Sequence, residues 1–351
     1  MTSLERADKG SAGQRPGANG HALPIAVDLV VSTRCFGSAV AVTRDVLSTA
    51  NLLSAQLGGP SPLFEISTRS VDGEPVVSSS GAEIPVEGAA DACRGALMVV
   101  FGPGMADVNR VLADLREPST TSLGAVLRDA QDRGATICAS CSSTFLLAEA
   151  GLLDGHSATT SWWLAPLFRA RYPEVELLED DLVVRSRRTI TAGAALAQID
   201  LALHLVRELV SPELAHACAR YLVVDDARRS QAPFVVIEHL TRGDELVARA
   251  EAILREDLRA PVDVAALARS LAVTSRTLSR RFVAATGLPP ARFQRRLRLE
   301  TAAARLRATG DAIEAIAADV GYDDERSFRR AFAKELGVSP ARFRRGVSPA
   351  R

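Results

Sequence analysis

No stretch of this chain is both long and apolar. A helix needs about 20 consecutive apolar residues to cross a bilayer, and none of the 351 residues belongs to such a run, so no membrane span and no membrane partner is expected. Cysteine is sparse. Cys35, Cys93, Cys138, Cys141 and Cys218 are odd in number and scattered, which excludes a disulfide framework and fits a reducing cytoplasm. Cys138 and Cys141 form a C-x-x-C, but no second pair stands at zinc spacing, so neither metal nor cofactor is expected. A redox role for the pair would need both thiols at a helix start, and Cys138 falls inside a strand-like run. Aromatic residues make up only 5% of the chain, and Trp162 and Trp163 are its two tryptophans. Residues 1–22 lack any apolar segment, and they read as a flexible tail, not a signal peptide. The chain also lacks net charge, with 42 Lys+Arg against 42 Asp+Glu.

That zero conceals a division. Residues 261–351 hold 18 basic side chains against 9 acidic, which leaves 24 against 33 for the rest. A basic module is joined to an acidic one, and a basic module is the footprint of nucleic-acid binding.

The basic module contains one pattern twice. Residues 274–282 read T-S-R-T-L-S-R-R-F and close with G-L-P-P-A-R-F at 287–293; residues 324–332 read D-E-R-S-F-R-R-A-F and close with G-V-S-P-A-R-F at 337–343. The offset between these copies is a constant 50 residues, and 49 just upstream, where Leu267, Ala268 and Leu271 answer Ile316, Ala317 and Val320. Repetition at a fixed period reveals the structural unit. Here the unit is a helix-turn-helix. Apolar residues at helical spacing define its leading helix, and Ala272 or Gly321 allows the tight turn. Thr274 or Asp324 is placed to cap the second helix. Leu278 and Phe282, or Phe328 and Phe332, stand at i and i+4 and fix that helix to a core. Gly287 and Gly337 end the second helices, and Pro290 and Pro340 start the next.

The outward face of each second helix is basic. Arg276, Ser279 and Arg280 face out in the first copy and Arg326, Arg329 and Arg330 in the second, with Arg281 also on the first basic face. Arginine on a helix of this kind pairs bidentately with guanine in the major groove, or holds phosphate at its rim. One arginine-rich helix face is usually only a solvated surface. Two in register argue for double-stranded DNA.

Residues 244–345 resemble the AraC/XylS family of bacterial transcriptional regulators. The likeness rests on A-x-x-V-G-Y-x-D-x-x-x-F-x-R-x-F from Ala317 to Phe332 and on G-x-S-P-x-x-F-R from Gly337 to Arg344. The resemblance implies two helix-turn-helix units joined by a long helix over 291–308 and entering successive major grooves. By position it assigns base reading to the six residues above and phosphate contacts to Arg295, Arg296 and Arg298. It also implies a homodimer that activates transcription through RNA polymerase.

Upstream, strand-like and helix-like stretches alternate from residue 23 to about 205. Strand patterns fall at 23–32, 63–70, 96–101, 135–140, 182–186 and 189–191; helical ones fall at 38–57, 106–116, 122–133 and 194–209, with an extended excursion at 76–85. Such alternation predicts a doubly wound α/β domain of flavodoxin-like type, its mostly parallel sheet covered on both sides. Ligands in such sheets bind at the carboxyl ends of the strands, where Gly102 to Met105, Cys141 and Thr191 to Gly193 would lie.

Cys141 ends a strand and opens a helix, the nucleophile-elbow layout, where a helix N-terminus would favour the thiolate. With A-G-L-L-D-G at 150–155, A-T-T-S-W at 158–162 and the helix around 200–207, the region resembles the class I glutamine-amidotransferase-like, PfpI-type domain found ahead of AraC modules in one branch of regulators. Departures from the enzymes of that superfamily are specific. Ser161 stands where a histidine is usual, Ser143 where glycine is usual, and Asp45 at the acidic position of the first helix. A thiol without a positioned base is weakly activated. His156 falls in a turn and His204 on an apolar helix face, both read as structural.

The expected organisation is a tail over 1–22, a sensor and dimerisation domain over 23–225, a linker over 226–243, a DNA-binding domain over 244–345 and a tail over 346–351. The sensor would bind a small-molecule effector through Cys141, Ser142, Asp45, Gly104, Met105, Ser161 and Trp162, without catalysis, in the cytoplasm. The alternative is a Cys141-dependent hydrolase or glyoxalase-type enzyme, or a thiol redox sensor, attached to a DNA-binding module.

Overall fold

The computed structural model describes residues 24–104, 108–226, 228–241 and 243–345. The tails expected at 1–22 and 346–351, and Met105, lie outside the described residues.

The amino-terminal half is built on a six-stranded sheet. In chain order its elements are β1 (Ile25–Val31), α1 (Gly37–Gln56), β2 (Phe64–Ser70), the short antiparallel pair β3 (Val76–Val77) and β4 (Glu83–Ile84), then β5 (Leu97–Phe101), α2 (Val108–Asp114), α3 (Pro118–Asp132) and β6 (Thr136–Ser140). Next come α4 (Ser143–Glu149), β7 (Ser157–Ala158), α5 (Ala165–Arg171), β8 (Glu176–Leu177), β9 (Val183–Ser186), β10 (Thr189–Ala192), α6 (Gln198–Leu209) and α7 (Pro212–Tyr221). The sheet order is β2-β1-β5-β6-β10-β9, parallel throughout except for β9.

Strand sequence explains the layering. β5 is apolar on both faces, as a central parallel strand must be, and β1 departs from this only at buried Asp28, which accepts from Arg69 Nε at 3.0 Å. Alternate side chains of β1 point to opposite sides. Val27, Leu29 and Val31 join a core with α1, α6 and α7. Val30, Met98 and Val100 join another with α3, α4 and α5. The expected doubly wound α/β architecture is therefore present. α3 begins earlier than its apolar pattern suggests because Pro118 supplies a preorganised first turn. α7 was not anticipated; Ser211 caps it by accepting from the Leu214 backbone N–H at 3.1 Å, and Pro212 starts it.

The carboxy-terminal half is helical: α8 (Ile237–Thr241), α9 (Glu245–Glu256), α10 (Val264–Ser270), α11 (Ser275–Thr286), α12 (Pro290–Ala308), α13 (Ile313–Asp319), α14 (Glu325–Leu336) and α15 (Pro340–Arg344). It has two cores. Leu267, Leu278, Phe282, Phe293 and Leu297 centre the first, and Leu299, Leu306, Ile316, Phe328 and Phe332 the second. α12 feeds both, so it is the beam the two lobes share.

The duplicated caps form as their chemistry dictates. Thr274 Oγ1 accepts from the Thr277 N–H at 3.1 Å and Asp324 Oδ1 from the Ser327 N–H at 2.7 Å. Gly287 and Gly337 end α11 and α14 at the same left-handed φ of +73°. In the turns, Ala272 takes φ +57° and Gly321 φ +84°. Only glycine fits the second turn, because a Cβ there would stand 2.6 Å from the Leu258 carbonyl oxygen.

The segment between the halves is not a free hinge. Gln231 is 2% exposed. Its amide donates to the carbonyls of Thr160 at 2.7 Å and Glu179 at 2.8 Å, and its Oε1 accepts from the Trp162 N–H at 3.2 Å. Ile237, six residues on, is already buried in the first helical core.

Candidate functional site

Local helix chemistry places the basic residues of α11 and α14. Their apolar residues turn into the two cores, so the remaining positions are forced outward. Arg276 and Arg280 on α11, and Arg326 and Arg330 on α14, are exposed; Ser279 and Arg329 are half-buried. Arg330 has one weak tie, to Ser327 Oγ at 3.3 Å. Arg329 is paired with Glu325 one turn back, so its charge is partly neutralised before any DNA arrives. Arg281 is likewise committed, its Nη2 donating to Asp244 Oδ1 at 2.8 Å.

The joining helix divides its arginines. Arg295 is exposed beside α14, where a groove of about 440 Å³ is lined by Arg295, Tyr322, Arg330 and Lys334. Arg296 points the other way. It is 9% exposed, donates to the Ala232 carbonyl at 2.8 Å, and lies 3.7 Å from Asp180 and 3.5 Å from Glu335. This corrects the expectation of a phosphate contact. One residue step on a helix turns a side chain by about 100°, and here the step carries Arg296 into the junction with the amino-terminal half. Arg298 is also spent internally, donating to the carbonyls of Gly321 at 2.9 Å and of Arg259 and Ala260 at 3.0 Å each.

At the carboxyl ends of the strands, Cys141 sits on an elbow between β6 and α4. Its φ is +57°, a left-handed value for a residue with a Cβ, costing about 1–3 kcal/mol. Its N–H donates to the carbonyls of Ala192 at 3.1 Å and Gly193 at 2.7 Å, and its own carbonyl accepts from Thr160 Oγ1 at 2.7 Å. These bonds hold the turn. Ser142 Oγ donates to the Pro103 carbonyl at 2.7 Å, and Ser143 Oγ accepts from the Gly102 N–H at 2.7 Å, tying the elbow to the loop after β5.

The thiol itself is shut in. Ser161, fully buried, donates to Cys141 Sγ at 3.0 Å. Burial raises the thiol pKa, outweighing the Ser161 hydroxyl and the backbone N–H groups that favour the thiolate. The acidity expected from the helix N-terminus is not realised. The cavity beside it holds only about 10 Å³, lined by Phe36, Ala39, Phe101 and Ala195 among others, room for one water at most.

Of the expected effector residues, Cys141, Ser142 and Ser161 come together. Gly104 lies nearby, its N–H donating 2.7 Å to the Arg34 carbonyl, and a Cβ on it would meet the Phe36 ring at 2.7 Å. Trp162 is half-buried against Gln231. Asp45 does not belong to the site. It is exposed on the outer side of α1, and the α1 residue that reaches the thiol cavity is Ala39. His204 pairs with Glu208 at 3.1 Å on α6, and burial holds its pKa down. Sequence reasoning missed Gln231, whose only signal was its place in a polar linker.

Two exposed arginine faces on paired helix-turn-helix lobes, behind an α/β domain with an unactivated elbow cysteine, define a DNA-binding transcriptional regulator. Comparison with known proteins agrees. A helix-turn-helix domain model matches residues 267–346 and a DJ-1/PfpI family model residues 45–208. The chain is similar to the HTH-type transcriptional regulator CdhR of Pseudomonas aeruginosa, 26% identical over 284 residues, covering 80% of this chain and 82% of that protein. The regulator GlxA of Rhizobium meliloti is 26% identical over 311 residues, 87% of this chain and 91% of that protein. An AraC-like transcription regulator of Streptomyces antibioticus is 37% identical over 106 residues, 30% of this chain and 35% of that protein. The chain is an AraC-type regulator carrying a DJ-1/PfpI-type amino-terminal domain. Among the described residues no helix is long and apolar enough to cross a membrane.

Proposed function

We propose that the protein works in the cytoplasm as a homodimer, with residues 23–225 sensing a small molecule without catalysis and residues 244–345 reading DNA. Arg276, Ser279, Arg280, Arg326, Arg329 and Arg330 are the groove-facing set, with Arg295 on phosphate, and activation runs through contact with RNA polymerase. The observation that carries this reading is the pair of recognition helices, α11 and α14, held by one rigid α12 with their cationic faces open. The buried link from Thr160 through Gln231 to the helical half offers a path for the signal. Against catalysis stands Cys141, with a hydroxyl where a base would be needed.

The test is a titration of labelled duplexes carrying the chain's genomic binding sites, mapped by cross-linking, at several salt concentrations. The reading expects tight, salt-dependent binding that is about a thousandfold or more above random duplex, and a shift in that affinity when a metabolite extract is added. Equal affinity for both duplexes defeats the DNA-reading assignment; turnover of thioesters or amides that disappears with Cys141→Ala defeats the non-catalytic one.

A further inference from the structure

A larger cavity lies in the helical half and shares no residue with the one beside the cysteine. It measures about 420 Å³, within the roughly 300–1,000 Å³ of small-ligand pockets. One wall is the strap over 232–237, which leaves the amino-terminal half at buried Gln231 and enters the first helical core at Ile237. The others are α12, through Leu299 and Ala303, the end of α14 at Leu336, and Phe343 of α15. A molecule seated there touches the linker and the second lobe at once.

Three arginines and two glutamates line it, one positive charge in excess. Most of them already have partners. Arg255 pairs with Glu251 at 2.8 Å, and Arg296 donates to the Ala232 carbonyl and faces Glu335. Glu300 accepts from the Ile237 N–H at 3.4 Å. Arg307 is the exception. It is exposed, and among the described residues no carboxylate pairs with it. Its guanidinium carbon stands 4.5 Å from the centre of the Phe343 ring. A guanidinium keeps its charge at any ordinary pH and offers a planar fork of donors that suits an anionic group.

Aromatic surface flanks that charge. Phe343 lies against Arg307, and Phe234, on the strap, is 58% exposed at the cavity wall. A lone exposed phenylalanine needs no explanation. Beside a ligand-sized cavity and an unpaired arginine it has one, because covering it with another ring removes apolar area from water and adds an aromatic contact. Glu300 and Glu335 disfavour a second negative charge on the occupant, and the three arginines disfavour a positive one. One negative charge on a flat apolar body matches the lining.

We propose that this cavity is a binding site, separate from any in the amino-terminal domain, for a flat aromatic molecule carrying one negative charge. The ring lies against Phe343 and Phe234, and the anionic group takes the guanidinium N–H groups of Arg307. Held by the strap on one side and by α12 and α15 on the other, the ligand joins the linker to the second lobe.

The experiment is isothermal titration of the full-length protein with indole-3-carboxylate and 2-naphthoate, each taken to millimolar concentration. Cyclohexanecarboxylate, indole and tryptamine serve as controls that lack the flat ring, the charge or its sign. At least one flat anion binds, about tenfold or more tighter than each control. Arg307→Gln, an exposed substitution, weakens that binding by about 10- to 100-fold, the worth of a hydrogen bond to a charged group. Phe234→Ser weakens it too, through the loss of a ring to stack on. Should Arg307→Gln lose its fold, Ala304→Glu, an exposed change on the cavity wall, adds a negative charge and abolishes binding. The proposal is overturned if neither flat anion binds, if any control binds equally well, or if a folded Arg307→Gln or Ala304→Glu variant binds like the parent.

Discussion

The hydroxyl of Ser161 donates a hydrogen bond to the sulfur of Cys141 across 3.0 Å, with both side chains buried. A serine cannot take up the thiol proton, and burial holds that proton on. In the native protein Cys141 therefore reacts with iodoacetamide far more slowly at pH 8 than in the urea-unfolded chain. Cys141→Ala costs about 1 kcal/mol of stability and leaves DNA affinity unchanged. Labelling at equal rates in folded and unfolded protein would remove the basis for calling the elbow inert.

The other buried thiols make stability depend on alkaline pH. Burial raises Cys35 and Cys218 from 9.0 to about 11 and Cys93 to about 12. The folded chain retains protons that the unfolded chain releases near pH 9, so their contribution is complete below that value and is lost as pH climbs from about 9 to about 11. Each thiol contributes a slope of about 1.4 kcal/mol per pH unit across that window. Urea denaturation at pH 8, 9, 10 and 11 measures it, and Cys218→Ala should flatten the decline by one thiol's share. Parallel curves for parent and variant would contradict the assignment.

On the recognition helices, Arg280→Ala and Arg330→Ala each cost about 1–3 kcal/mol on a specific duplex if the residue meets a base, and much less on random DNA. Arg329→Ala costs less than Arg330→Ala, because Glu325 already occupies it. Arg295→Ala weakens both duplexes alike and lowers the salt slope by about 1. Fluorescence anisotropy over a salt series separates these cases, and a uniform loss from Arg280→Ala and Arg330→Ala would demote them to phosphate anchors.

Arg296→Ala behaves as a fold variant. It removes the bond to Ala232 and the pairings with Asp180 and Glu335, at a cost of about 1–3 kcal/mol in stability. Its salt slope on DNA stays that of the parent. A slope lowered by the same amount as Arg295→Ala would return Arg296 to the DNA surface.

The two lobes, their caps at Thr274 and Asp324, their glycine ends and the shared α12 were legible in the sequence, and so was the elbow at Cys141. These features depend on residues within a turn or two of one another, and a repeated local pattern needs no tertiary knowledge to read. The centre of the sheet was legible too, since β5 is a continuous apolar run and β1 is one but for Asp28.

Tertiary structure alone decided the fate of individual charges. Arg295 and Arg296 are neighbours in sequence, yet one faces solvent and the other is buried at the junction, facing Asp180 from the opposite half of the chain. Asp45 sits on the wrong side of α1 to meet the thiol, a matter of helix rotation against the sheet. The burial of Gln231 is not written in the linker sequence, because a buried polar side chain is set by partners far away in the chain, here Thr160 and Glu179. Local periodicity fixes which face of an element is apolar; only packing fixes what each polar group finds opposite it.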